Sequence, residues 1–106
     1  MKVLKFGGTS VGSVESISKL LQIIEKEQKQ SGNPVIVLSA MSGVTNLLSS
    51  MADKAANGGS FSSELKELEE RHFEVIKELL AVPRQNPVFT KLRILFNELE
   101  DLLQGV

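Results

Sequence analysis

The apolar run Val35-Ile36-Val37-Leu38 constrains this chain more than any other feature. It is uninterrupted, rich in β-branched residues, and bounded by Pro34 and Ser39. Such a run suits a strand buried on both faces, as in a parallel sheet. A parallel strand needs a partner reached through a crossover, usually a helix. The upstream sequence supplies both. Lys2-Val3-Leu4-Lys5-Phe6 reads as a short strand that runs into a tight turn at Gly7-Gly8. From about Ser13 the period changes. Val14, Ile17, Leu20, Leu21 and Ile24 mark one helical face, and Ser31-Gly32-Asn33-Pro34 stops the helix. Strand, helix, strand in this order predicts a right-handed βαβ unit.

After Leu38, Ser39-Ala40-Met41-Ser42-Gly43 reads as a turn. Val44, Leu47, Leu48, Met51, Ala52 and Ala55 mark a second amphipathic helix, ending at Asn57-Gly58-Gly59. Residues 1–60 thus read as βαβα. Residues 61–106 read as an antiparallel helical hairpin. Its first stripe is Leu65, Leu68, His72, Val75, Ile76 and Leu79. Its second is Val88, Leu92, Leu95, Leu99 and Leu102, widened by Phe89, Phe96 and Leu103. Asn86 as N-cap with Pro87 at the first helical position predicts the start of the second hairpin helix.

The fold class is therefore α/β, with two strands against four helices. A two-stranded parallel sheet leaves both strands with an open edge and is marginal by itself. The strand count predicts an N-terminal piece of a larger α/β protein. A complete small domain, its strands covered by helices or by a second copy, is the competing expectation.

Composition narrows the function. The chain has 106 residues, 42% of them hydrophobic and 24% charged, which is a globular rather than a disordered balance. Its 12 basic and 13 acidic residues leave no cationic surplus for nucleic acid. It has no cysteine, so thiolate chemistry and disulfides are excluded, and His72 is its only histidine. No apolar run is long enough for a membrane helix, and the N-terminus does not resemble a signal peptide. A cytoplasmic setting is expected.

Two segments could carry chemistry. In Lys5-Phe6-Gly7-Gly8-Thr9-Ser10-Val11-Gly12 the glycines allow close approach of backbone N–H groups. Thr9 and Ser10 add hydroxyls, the following helix presents its positive end, and Lys5 adds a full charge. Together these suit phosphate. The spacing matches neither the dinucleotide fingerprint nor the Walker loop, in which lysine follows the glycines. An ordinary turn with a solvated Lys5 is the competing reading. The second segment, Ser39 to Asn46, also leaves the C-terminal end of a strand. In open parallel sheets ligands bind at that rim. Two adjacent strands would set Lys5 and Ser39 on one rim, where Ser39, Ser42, Thr45 and Asn46 could bind a small polar ligand. Taken singly, Ser42 reads better as a helix cap. His72, on an apolar stripe, reads as a packed histidine. Glu64, Glu67, Glu69, Glu70, Glu74 and Glu78, interleaved with Lys66, Arg71 and Lys77, read as a solvated face with local ion pairs.

Lys5-Phe6-Gly7-Gly8-Thr9-Ser10-Val11 resembles the N-terminal signature of aspartate kinases. Val37-Leu38-Ser39-Ala40-Met41-Ser42-Gly43-Val44-Thr45-Asn46-Leu47-Leu48 resembles their second motif. Continuation of the first motif into Thr9-Ser10 favours this family over acetylglutamate, glutamate and uridylate kinases. The helical segment from Phe61 to Gln104 is also similar, including to aspartate kinases fused to homoserine dehydrogenase. The resemblance implies an amino-acid-kinase fold and transfer of the ATP γ-phosphoryl group to the side-chain carboxylate of L-aspartate. It implies that Lys5 is the catalytic cation and that Gly7, Gly8 and Ser10, with Thr9 between them, bind the nucleotide. It assigns Ser39 and Thr45 to aspartate and Mg²⁺ to the nucleotide rather than to protein ligands. It further implies a homo-oligomer. The family's later Glu and Arg for aspartate, its second-lobe Asp and its adenine pocket have no counterpart in these residues. The 106 residues alone are therefore expected to be inactive. A stand-alone interaction module that self-associates through its hairpin is the alternative.

Overall fold

In a computed structural model of the chain, residues 2–106 are described. Val3–Phe6 forms β1 and Val35–Leu38 forms β2. They pair in parallel, with Val3 opposite Val35, Leu4 opposite Ile36, Lys5 opposite Val37 and Phe6 opposite Leu38. Four helices complete the order: α1 (Val14–Ser31) between the strands, then α2 (Val44–Ala56), α3 (Ser62–Leu79) and α4 (Val82–Gln104). The α/β reading and the two-strand, four-helix count stand. No helix among the described residues is long and apolar enough to cross a membrane. The chain divides into two compact units, residues 1–45 and 46–106.

In the first unit, local chemistry sets both ends of α1. The Ser13 side chain accepts a hydrogen bond from the Ser16 N–H at 3.1 Å, an N-cap that satisfies one of the helix's unpaired donors. At the other end Gly32 turns the chain at φ 83° and donates its N–H to Gln28 O. A residue with a Cβ is disfavoured in that left-handed region. Lys2, just before β1, pairs with Glu27 near the end of α1 at 2.8 Å. This contact brings the helix back along the strand, as a crossover requires. The Lys2 ammonium holds the Glu27 carboxyl below its ordinary value.

Two sequence expectations fail here. Leu21 was placed on the apolar stripe of α1, yet it is exposed, and Leu20 carries the burial. More consequentially, β2 is not buried on both faces. Val35, Val37 and Leu38 are all exposed, as is Val3 of β1. Side chains alternate across a strand, so Val3, Lys5, Val35 and Val37 share one uncovered face. Leu4, Phe6 and Ile36 lie on the other and are half-buried. Phe6 shares a cavity with Leu20 and Ile23 of α1. One helix can cover only one face of a two-stranded sheet.

The second unit is helical. α2 ends in a left-handed Gly58 (φ 71°), with the Asn57 side chain donating to Asp53 O at 2.9 Å and the Gly59 N–H to Lys54 O at 2.8 Å. α3 and α4 form the expected hairpin. Leu65, Leu68 and Ile76 of α3 and Phe96 and Leu103 of α4 are its buried residues. His72 is half-buried, donates from Nδ1 to Leu68 O at 2.8 Å, and meets the Phe96 ring edge-on at 5.5 Å. It is a packed histidine, as its place on the stripe implied.

The start of α4 differs from expectation. Asn86 is not the N-cap and Pro87 is not the first helical residue. Ala81 occupies the cap and Pro83 sits in the first turn, leaving Pro87 inside the helix. Proline is tolerated in a first turn, where its missing N–H has no partner to lose, so Pro83 provides the same start signal one turn earlier. The Gln85 side chain donates to Leu80 O at 2.8 Å and to Lys77 O at 3.3 Å. It thereby satisfies carbonyls at the end of α3 and fixes the short link. The buried stripe differs too. Phe96 and Leu103 are buried, Val88, Phe89, Leu92 and Leu99 are half-buried beside them, and Leu95 and Leu102 are exposed.

Glu64 departs from the solvated glutamate face. It is 8% exposed and paired with Lys54 of α2, while Ser63 Oγ donates to its Oε1 at 2.6 Å. The Lys54 and Ser63 hydrogen bonds hold its carboxyl below the ordinary value of 4.5. A carboxyl whose folded pKa is depressed stabilises the fold above its unfolded pKa. That contribution is lost as pH falls through the folded value. Acidification from pH 6 to pH 3 should therefore lower the melting temperature of the helical unit. Lys54→Met should flatten that dependence. Thermal melts followed by circular dichroism across this range check it, and an unchanged slope in the variant would exclude Glu64 as a source.

Candidate functional site

The link from β1 to α1 is residues 7–13. Its turns are closed by the Ser10 N–H donating to Gly7 O at 3.1 Å and the Gly12 N–H to Thr9 O at 3.3 Å. Two of the loop's amides are thus committed to its own shape. The glycines differ in what they permit. A Cβ at Gly7 would meet nothing within 4 Å, so the loop is open there to an incoming group. A Cβ at Gly8 would lie 3.4 Å from Ala40 O. One at Gly12 would lie 3.1 Å from Gly8 O and 3.2 Å from the Ser42 side chain.

These distances show that the glycine loop packs directly on the Ala40–Ser42 turn. The two segments singled out from sequence therefore meet at the C-terminal ends of β1 and β2. The Ser39 N–H extends the strand pairing by donating to Phe6 O at 3.1 Å. Beyond it, Gly43 turns at φ 84° and the Val44 N–H donates to Met41 O at 3.0 Å, leading into α2. Neither Gly12 nor Gly43 is assigned to ligand binding from sequence. Their signals were position alone: Gly12 directly precedes the Ser13 cap, and Gly43 directly precedes α2.

The candidate residues occupy this rim unevenly. Lys5, Gly7, Thr9, Ser39 and Thr45 are exposed, and Gly8 and Ser10 are half-buried. Thr9 and Ser10 line a cavity of about 260 Å³ with Phe6 and with Ser16, Lys19, Leu20 and Ile23 of α1. Lys5, Ser39 and Thr45 do not line it. Lys5 lies instead on the uncovered sheet face with Val3, Val35 and Val37. Ser42 makes no side-chain cap to α2 among the described hydrogen bonds; the turn itself is closed by backbone. The Ser13 cap occupies the Ser16 N–H at the start of α1, so the positive end of this helix is already partly satisfied. Chemically, the rim combines hydroxyls with an open glycine position, while Lys5 leaves from the sheet face opposite the cavity. That combination suits a phosphorylated ligand.

The chain is similar to known proteins over nearly its whole length. Residues 1–98 match the model of the amino acid kinase family. Aspartokinase 1, chloroplastic, of Arabidopsis thaliana is 41% identical over 98% of this chain and 18% of its own length. An aspartate kinase of Pseudomonas fluorescens is 52% identical over 53% of this chain and 13% of its own. A bifunctional aspartokinase/homoserine dehydrogenase of Buchnera aphidicola is 30% identical over 100% of this chain and 13% of its own. The chain thus spans less than a fifth of the length of these relatives. Two parallel strands joined through a glycine loop that rests on a second strand-to-helix turn, and a match over nearly the whole length, lead to one conclusion: the chain belongs to the amino acid kinase family.

Proposed function

We propose that these residues are the N-terminal part of an aspartate kinase, which phosphorylates the side chain of L-aspartate to 4-phospho-L-aspartate, the first step toward lysine, threonine and methionine. The observation that carries the reading is the packing of the glycine loop on the Ala40–Ser42 turn, which sets a phosphate-type loop beside a hydroxyl-lined turn. The aspartokinase relatives, similar over this same stretch, support the choice of acceptor.

The chemistry asks little of the protein beyond charge and position. An aspartate carboxylate is already a nucleophile and needs no base. One of its oxygens attacks the γ-phosphorus, the bond from that phosphorus to the β–γ bridging oxygen breaks, and ADP leaves. The barrier comes from bringing two anions together in line. Lys5 neutralises the phosphates, and the backbone of Gly7 and Gly8 with the Thr9 and Ser10 hydroxyls holds them. Ser39 and Thr45 orient aspartate. Mg²⁺ carried by the nucleotide would supply further neutralisation of the phosphates. The uncovered face that carries Lys5 receives the rest of the catalytic domain, and the protein works as a homo-oligomer in the cytoplasm.

In the full-length protein, ADP release should require L-aspartate, and hydroxylamine should trap the acyl phosphate as a hydroxamate. Turnover with glutamate or acetylglutamate in place of aspartate would sink the assignment. The 106 residues alone should show no steady ADP release. Steady release that Lys5→Ala abolishes would refute the view that the missing segments are needed.

A further inference from the structure

Gly12 is constrained by space and not by backbone conformation. Its φ is not positive, unlike that of Gly32, Gly43 and Gly58, so the backbone there permits an L side chain. What it lacks is room. A Cβ would lie 3.1 Å from Gly8 O, 3.2 Å from Ser42 Cβ and 3.4 Å from Thr9 O. Carbon atoms pack best at about 3.5–4.0 Å, so a methyl group at this position would press on Gly8 and on Ser42 at once. At Gly7, in the same loop, a Cβ would meet nothing within 4 Å.

The two sides of Gly12 have different assignments. Gly8 and Thr9 belong to the loop that the kinase reading gives to the nucleotide. Ser42 lies between Ser39 and Thr45, the residues it gives to aspartate. Neither segment has much slack. In the glycine loop the Gly12 N–H donates to Thr9 O at 3.3 Å and the Ser10 N–H to Gly7 O at 3.1 Å. Directly after Gly12, the Ser13 side chain is held by the Ser16 N–H at 3.1 Å. The acceptor turn is tied by the Ser39 N–H to Phe6 O at 3.1 Å and by the Val44 N–H to Met41 O at 3.0 Å. Val11, just before Gly12, and Val44, at the end of the turn, are both buried. A group inserted between two segments tied in this way pushes them apart.

We propose that Gly12 is a positioning residue: by carrying no side chain it lets the nucleotide loop close onto Ser42, and so sets the distance between the phosphoryl donor and the carboxylate acceptor. The inference rests on the kinase reading and deepens it. Gly12 is assigned to neither substrate and acts through the contact between their two segments. In-line transfer needs the reacting atoms about 3–3.5 Å apart, and a misplacement of about 1 Å can cost 10²-fold in rate. Each substrate keeps its own segment when the two are wedged apart. Binding is therefore spared and the transfer step is slowed.

Steady-state kinetics of the full-length protein, with a thermal melt of each variant, tests it. Gly12→Ala should lower kcat by about tenfold or more, with KM for Mg-ATP and for L-aspartate each within about threefold of wild type. Position 42 supplies the discriminating pair, since Ser42→Gly removes the Cβ that the new methyl group meets and Ser42→Ala keeps it. Added to Ser42→Gly, Gly12→Ala should cost less than about threefold in kcat; added to Ser42→Ala, it should cost as much as in the wild type. A role in folding alone would lower the melting temperature and leave kcat per folded molecule unchanged. With an active wild type, four results would each overturn the proposal: an unchanged kcat in folded Gly12→Ala, a loss confined to KM, a loss undiminished beside Ser42→Gly, or one relieved equally by Ser42→Ala. Unfolding of Gly12→Ala would overturn it too, because the contact would then hold the fold and not the spacing of the substrates. A wild type without aspartate-dependent ADP release would instead overturn the kinase reading, and this inference with it.

Discussion

Under the proposed phosphoryl transfer, Lys5→Ala in the full-length protein should lower kcat by about 10²–10³-fold, the usual loss when one group facing developing charge is removed. The ATP phosphates repel the incoming carboxylate, and in a water-excluded site a fixed ammonium offsets that repulsion far more than it would in solvent. Lys5 is the third residue of β1 and is paired with Val37, so its backbone is held by the sheet rather than by a loop. The strand thus fixes where its side chain starts, and the bound phosphates would draw the ammonium to them. Being exposed, it carries little of the fold, and the variant should melt within about 0.5 kcal/mol of wild type, as surface substitutions do. Lys5→Arg keeps the charge but not the point geometry and should recover activity only in part. The check is steady-state ADP release at saturating Mg-ATP and aspartate, beside a thermal melt. A kcat within threefold of wild type would remove Lys5 from the catalytic role.

Phe96→Ala should cost the helical unit about 3–5 kcal/mol, the range for truncating a buried aromatic ring. Phe96 is 7% exposed and lies at the middle of the α3–α4 contact. Its ring meets His72 at 5.5 Å and Phe73 at 5.9 Å, both edge-on. Phe73 in turn meets Phe89 edge-on at 5.3 Å and lies under the Arg93 guanidinium at 5.2 Å. Removing Phe96 therefore opens a cavity and leaves two rings without their favoured neighbour. A small domain has only about 5–15 kcal/mol of net stability, so the hairpin should be largely unfolded near physiological temperature. Ile94→Ala, on an exposed position of the same helix, should change stability by no more than about 0.5 kcal/mol. Thermal unfolding at 222 nm distinguishes the two. A loss below about 1 kcal/mol for Phe96→Ala would mean that the aromatic cluster is not what holds the hairpin.

The location of the candidate site was legible because its signals are local. Two strand-to-helix junctions, each with glycine and hydroxyl residues, are visible in the order of amino acids alone. A parallel pair of strands leaves them no place but the same rim. Their direct contact was not legible. It depends on Gly12 approaching Ser42 and on Gly8 approaching Ala40, each across about 30 residues of chain. Nothing in the spacing of Gly7 and Gly8 distinguishes the open glycine from the packed one.

The same division runs through the fold. Ser13 and Gly32 at the ends of α1, and Asn57–Gly59 after α2, act on their immediate neighbours through caps and a left-handed turn. Sequence by itself therefore determined the element order and most of the boundaries. It also determined the parallel pairing, since an intervening helix permits little else. Tertiary structure decided which faces are covered. Val35 and Val37 have the side chains of a buried strand yet remain exposed, because burial requires a second layer that no local signal supplies. Leu95 and Phe96 are adjacent and both apolar, and the approach of α3 alone makes Phe96 core and leaves Leu95 at the surface. Glu64 looks like its solvated neighbours until Lys54 meets it. Pro87 looks like a helix start until Pro83 and Gln85 take up the turn before it. Propensity acts over a few residues, whereas burial and charge pairing act through space between segments distant in sequence.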